Sequence, residues 1–137
     1  MEDSAFKMNQ ILDNLKGRHK QVDNLMSLTR EMAKVIEIND LESLGAVLSM
    51  RQKSMDIIDG FNSDIKNIIE SLAQPEKDKV RQILDTDGAP VEFANHTEID
   101  ISKTNKMTLA LVQKVIELDR ALNQKIQKNA ASNAPAG

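Results

Sequence analysis

Apolar residues recur every three or four positions along most of this chain, which is the spacing that places side chains on one face of an α-helix. The first stripe lies between residues 6 and 36 and consists of Met8, Ile11, Leu15, Val22, Leu25, Met32 and Ile36. Arg18 occupies a position within this stripe, beside Gly17, and is its charged exception. A helix of about thirty residues is roughly 45 Å long, so the pattern predicts an elongated protein.

A second long helix is predicted to fold back on the first after a tight turn. The first helix should end near Ile38, and Asn39 stands three residues before a glutamate, as in a capping box, although Asp40 would serve almost as well. A short turn forces an antiparallel neighbour. The second heptad seam consists of Leu41, Leu44, Leu48, Met55, Ile58, Ile65, Ile69 and Leu72. Arg51 and Asn62 interrupt this seam, which predicts a coiled-coil-like hairpin.

The remaining chain predicts a short helix, a loop and a long last helix. Pro75 suits a first helical turn, so residues 76–85 should be helical, with Val80, Ile83 and Leu84 facing inward. Residues 87–96 are predicted to form a loop. The last helix should begin near Thr97 or Ser102 and end near Lys128. Its main stripe consists of Thr108, Leu111, Val115, Leu118 and Leu122.

These elements predict an all-α fold, an elongated antiparallel hairpin with a short helix and a long C-terminal helix packed alongside. Residues 1–128 should form a single helical domain. The tail at 129–137 is small, polar and without periodicity, so we expect it to be disordered.

Two helices carry more apolar residues than one stripe needs. The last helix adds Met107, Leu109, Val112 and Ile116, and the second helix adds Val47, Met50, Ile57, Phe61 and Ile68. Either a third helix packs on these surfaces, or they form a groove that accepts a partner helix. Seven methionines suit adaptable packing of this kind. The predicted partner-binding residues are Met107, Leu109, Leu111, Val112, Val115 and Ile116.

Composition and charge exclude several other functions. Three phenylalanines, no tryptophan or tyrosine and a net charge of −3 argue against sheet folds and nucleic-acid binding. The chain has no cysteine and no phosphate-binding loop, so we predict no enzymatic activity, metal or cofactor. His19, within the basic segment 16–20, could act in phosphotransfer, although an ordinary surface histidine is the simpler interpretation. His96 should be a solvated loop residue.

The longest apolar run, Leu109–Val112, is far shorter than the ~20 residues that cross a membrane. The chain begins Met-Glu-Asp-Ser, with two acidic residues and no basic one, which is not the start expected of a secretory signal. We therefore expect a cytoplasmic protein with no membrane insertion.

Two segments resemble the FlgN family of flagellar export chaperones. Residues 37–53 read Glu-Ile-Asn-Asp-Leu-Glu-Ser-Leu-Gly-Ala-Val-Leu-Ser-Met-Arg-Gln-Lys, similar to the family's turn with Asp-Leu-Glu-x-Leu and the basic patch after it. Residues 105–112 read Asn-Lys-Met-Thr-Leu-Ala-Leu-Val, similar to the start of the family's last helix. The resemblance covers most of the chain between residues 6 and 126. The related FliT-type chaperones share this arrangement of helices.

The resemblance implies a cytosolic all-α chaperone that holds hook–filament junction proteins, the hook-associated proteins, before type III secretion. In that family the last helix binds the C-terminal helix of the client, a role that maps onto residues 107–122 here. Components of the export apparatus are possible further partners. The alternative is a structural coiled-coil or adaptor protein that self-associates into a homo-oligomer.

Overall fold

The computed structural model describes residues 3–132, the last three by their backbone alone, and consists of four α-helices. They are α1 (Ser4–Glu37), α2 (Leu41–Glu70), α3 (Gln74–Leu84) and α4 (His96–Ser132). No strand occurs within this range. The all-α class and the predicted order of elements are confirmed. None of the described helices is both long enough and apolar enough to cross a membrane.

The turn between α1 and α2 uses Asp40, not Asn39, as the helix cap. The carboxylate of Asp40 accepts hydrogen bonds from the amide of Ser43 at 3.1 Å and from its hydroxyl at 2.5 Å. Asn39 has a φ of 56°, a left-handed conformation that asparagine tolerates better than most residues. A capping box at Asn39 is therefore wrong, because that residue makes the turn and cannot also cap α2.

The last helix begins at His96, one residue before the earlier of the two predicted starts, and is longer than predicted at its C-terminal end. A capping arrangement fixes its start, since the side chain of Asn95 accepts from the amide of Glu98 at 3.0 Å. The carboxylate of Glu98 in turn accepts from the amide of Ala94 at 3.1 Å. At the other end α4 continues through residues 129–132, which the sequence pattern assigned to the tail. The rest of that predicted disordered tail, 133–137, lies outside the described residues.

Helix α1 lies between α2 and α4 and packs along both, whereas α2 and α4 approach each other much less closely. Helix α2 returns antiparallel to α1 and ends near the beginning of α1. Helix α3 packs at this same end. Helix α4 therefore starts beside the beginning of α1 and runs parallel to it. This direction follows from two contacts, Arg18 with Asn105 and His19 with Thr108, and from Leu122 packing near Ile36.

Three apolar clusters follow one another along α1. The cluster at its N-terminal end consists of Met8, Ile11, Leu12, Leu15, Ile65, Ile69, Leu72, Val80, Ile83 and Ile101. The middle cluster contains Leu25, Met26 and Val115. The third contains Met32, Ile36, Val47 and Leu122. The main stripes predicted for α1, α3 and α4 supply most of these residues.

The predicted seam of α2 is wrong at its start. Leu41 and Leu48 are 72% and 46% exposed, whereas Val47, assigned to the second stripe, is buried. A strict seven-residue repeat drifts by about 20° per heptad on a straight α-helix. The seam that enters the core at Ile69 has therefore rotated out of it by Leu41.

Candidate partner-binding groove

The residues predicted to bind a partner do not share one environment. Met107, Leu109 and Ile116 are 57%, 41% and 43% exposed, which is high for large apolar side chains on a packed helix. Val112 is half-buried. These four residues carry the extra apolar surface that the sequence pattern placed on α4.

Leu111 and Val115 lie on the side of α4 that packs on the rest of the protein. Val115 is buried in a cluster with Leu25 and Met26 of α1, and the half-buried Leu111 packs against the same cluster. Both residues therefore contribute to the packing of α4 against α1. Their contribution to partner binding stays a prediction.

Met107 is separated from the other exposed residues of α4. It precedes Ile116 by nine positions, and at 100° per residue this places the two on opposite sides of the helix. Leu109, Val112 and Ile116 follow the spacing of a single face. Apart from Leu111 and Val115, the predicted set therefore consists of one surface of three residues and one isolated methionine.

An ion pair shows which side of α4 this surface occupies. The guanidinium of Arg51, on α2, donates to the carboxylate of Asp119, on α4, at 2.8 Å. Ile116 precedes Asp119 by three residues and Val112 precedes it by seven, so both share its face. Leu109, Val112 and Ile116 therefore lie on the side of α4 that is turned towards α2.

The same ion pair orients α2. Leu48 precedes Arg51 by three residues and Met55 follows it by four, so both lie on the side of α2 that is turned towards α4. Leu48 is exposed and Met55 is half-buried. Both were predicted to fill the hairpin seam. The spacing of Leu48 and Met55 from Arg51 shows in the sequence that the three share one face of α2. The sequence does not show that this face is turned towards α4, because it does not identify Asp119 as the partner of Arg51.

Apolar side chains of α2 and α4 therefore border the space between these two antiparallel helices, with α1 beneath them. Since Arg51 is level with Asp119, Met55 lies level with Ile116, whereas Leu48 extends the surface towards the hairpin turn and Leu109 extends it towards the other end. We call this surface the helix groove and define it by Leu48, Met55, Leu109, Val112 and Ile116. Arg51 crosses its floor, since only 9% of the Arg51 side chain is exposed. On α4 the apolar wall spans seven residues, or about 10 Å.

A polar network lies beyond the apolar part of the groove, towards the N-terminal end of α1. Arg18 donates to the side-chain oxygens of Asn62 at 3.1 Å and of Asn105 at 2.9 Å, and Asn105 donates to the carbonyl of Leu84 at 3.2 Å. Arg18 and Asn62 interrupt two different apolar stripes in the sequence. The structure pairs them, and burial lowers the pKa of Arg18 from its ordinary value.

The two histidines occupy different settings. His19 is half-buried, and its Nδ1 lies 2.9 Å from the hydroxyl of Thr108. That hydroxyl donates to the carbonyl of Thr104, so it accepts a hydrogen bond from Nδ1. A phosphotransfer role for His19 stays a prediction. His96 is exposed and is the first residue of α4 rather than part of the loop.

Comparisons of the chain with protein-family models, curated proteins and solved structures find no match. Within residues 3–132, no three histidine, aspartate or glutamate side chains are grouped so that they could hold a metal ion.

Proposed function

We propose that this protein is a flagellar export chaperone of the FlgN type, a cytosolic protein that binds the C-terminal helix of a hook–filament junction protein before secretion. The observation that carries the proposal is the helix groove, which presents apolar side chains from two antiparallel helices on the side opposite α1. This is the geometry of helix-in-groove recognition. The resemblance of residues 37–53 and 105–112 to the chaperone family supplies the identity of the client.

The groove supplies part of the affinity for a partner helix. Covering its five side chains contributes roughly 1 kcal/mol each, and the apolar face of the client adds a comparable amount, which gives about 10 kcal/mol in all. Association costs at least about 4 kcal/mol, so less remains than the ~8 kcal/mol of a micromolar complex. We therefore expect the groove alone to bind a client helix reversibly and more weakly than micromolar.

Calorimetric titration with C-terminal peptides of junction proteins tests the proposal. We expect one peptide per chain, saturable binding, and co-purification of the full-length junction protein with this chain. A preference for the peptide of the filament cap would assign the protein to the FliT type instead. If neither class of peptide binds, the chaperone proposal is wrong.

Self-association is the second candidate, because two large apolar residues are exposed at the tip of the hairpin. Ile38 and Leu41 are both more than two-thirds exposed, and they lie on either side of the turn. Light scattering coupled to size-exclusion chromatography distinguishes the two functions. A stable oligomer that Leu41→Asp dissociates, with no peptide binding, would indicate a structural coiled-coil protein.

A further inference from the structure

A basic cavity lies where α2 approaches α3. Its volume is about 350 Å³, and its polar lining consists of Arg18, Asn62, Lys66, Glu70 and Arg81, beside two isoleucines of α2. Three of these side chains are cations and one is an anion. The anion is already engaged, because the carboxylate of Glu70 lies 2.8 Å from the guanidinium of Arg81 and 3.6 Å from the ammonium of Lys77.

The other two cations have no carboxylate partner among the described residues. Arg18 is held by two amide oxygens alone, and no described group accepts from its buried Nε. Lys66 is exposed and forms no ion pair within residues 3–132. A partly buried guanidinium is ordinarily paired with an anion, because desolvation of an uncompensated charge is costly. The cavity therefore has an unsatisfied positive charge.

The cavity continues the helix groove. Asn62 follows Met55 by seven residues, which places both on the same side of α2, about 10 Å apart along its axis. Lys66 lies one turn further on. A helix lying in the groove would therefore bring its end to Arg18 and Lys66.

We propose that this cavity binds a carboxylate of the helix docked in the groove. The inference rests on the proposed function, since it assigns the orientation of that same client. Arg18 and Lys66 donate to the carboxylate, which replaces water at both groups. The C-terminus of a helix carries the negative end of its dipole, so the docked helix runs parallel to α2 with this end at the cavity.

A free carboxylate tests the cavity without any client. We titrate the whole chain with sodium acetate against sodium chloride of equal ionic strength and follow the arginine Nε–H signals by nuclear magnetic resonance. We expect a saturable shift of the Arg18 signal, with the exposed Arg30 as the internal reference. In Lys66→Gln the acetate affinity should fall by about three- to tenfold, whereas Lys53→Gln, on another face of α2, should leave it unchanged.

The junction-protein peptide then tests the orientation. Lys66→Gln should weaken peptide binding by about three- to tenfold and Lys53→Gln should not. If amidation of the peptide's C-terminus weakens binding by the same factor, the terminal carboxylate is the ligand. If replacement of the peptide's acidic side chains weakens binding instead, one of these side chains is the ligand.

The two proposals fail in different ways. If no peptide binds to the wild-type chain, the chaperone function is wrong, and the acetate titration still decides whether the cavity binds carboxylate. If the peptide binds equally to wild type and to Lys66→Gln, and acetate shifts Arg18 no more than Arg30, the cavity does not bind carboxylate and the groove alone holds the client.

Discussion

The aromatic ring of Phe61 lies directly over Gly17. A Cβ atom added to this glycine would lie 2.6 Å from two carbons of the ring, closer than non-bonded atoms tolerate. Glycine thus allows α1 and α2 to approach at the middle of the hairpin. In the sequence, Gly17 lies beside the first stripe and Phe61 belongs to the second stripe of α2, and neither suggests the contact.

Replacing Gly17 by alanine should destabilise the protein although alanine favours helices. We expect a loss of about 1–3 kcal/mol from overpacking, which exceeds the gain of about 1 kcal/mol in helix propensity. Gly45→Ala is the matched control, because nothing lies within 4 Å of a Cβ there, and it should be neutral or stabilising. Urea unfolding of the two variants measures the difference. If both variants gain stability, the ring moves aside and the contact does not set the helix spacing.

Substitutions on the two sides of α4 should separate binding from folding. Ile116→Asp, in the helix groove, should lower affinity for a junction-protein peptide by more than tenfold. Met107→Asp, on the opposite side and more exposed, should leave affinity unchanged, and both should change stability by only about 0.5 kcal/mol. Leu122→Ala, in the core, should cost about 2–5 kcal/mol. Calorimetry and thermal melts test these outcomes, and equal effects of Ile116→Asp and Met107→Asp on binding would remove the groove as the site.

The ion pair beneath the groove should respond asymmetrically to mutation. Asp119→Ala leaves the buried guanidinium of Arg51 without a carboxylate and should cost about 1–3 kcal/mol. Adding Arg51→Met removes that charge while keeping an apolar stem against Met32, so the double variant should recover part of the loss. Chemical denaturation of wild type, both single variants and the double variant gives the coupling energy. Purely additive costs would show that the pair contributes no interaction of its own.

The cap of α2 should make stability depend on pH in a predictable direction. Hydrogen bonds from the hydroxyl and then the amide of Ser43 lower the pKa of Asp40 below its ordinary value of 3.8. A carboxyl group with a lowered pKa stabilises the folded state above its unfolded pKa, and this stabilisation is lost as the pH falls through the folded pKa. Asp40→Ala should therefore melt at a lower temperature than wild type near neutral pH, and the difference should shrink below about pH 4. A difference that persists unchanged in acid would contradict this role.

The helices and most of their inward faces could be predicted from the sequence because both are local properties. The spacing of Met8 to Ile36 specifies one buried stripe on α1, and Pro75 marks the first turn of α3. The start of α4 could also have been found, since Asn95 and Glu98 have capping-box spacing. The excess apolar surface of α4 at Leu109 and Ile116 could likewise be predicted from the sequence, because this helix has more apolar positions than one face can bury.

Only the tertiary structure decided what those surfaces form. Arg51 and Asp119 are far apart in the chain, and their contact is what brings Met55 level with Ile116 and excludes Met107 from the groove. Similarly, Arg18 and Asn62 are separate polar interruptions of two stripes until the helices bring them together with Asn105. A sequence pattern gives each residue an angle about its own helix axis. The rotation of one helix relative to another depends on packing between segments distant in the chain, and no single stripe contains that information.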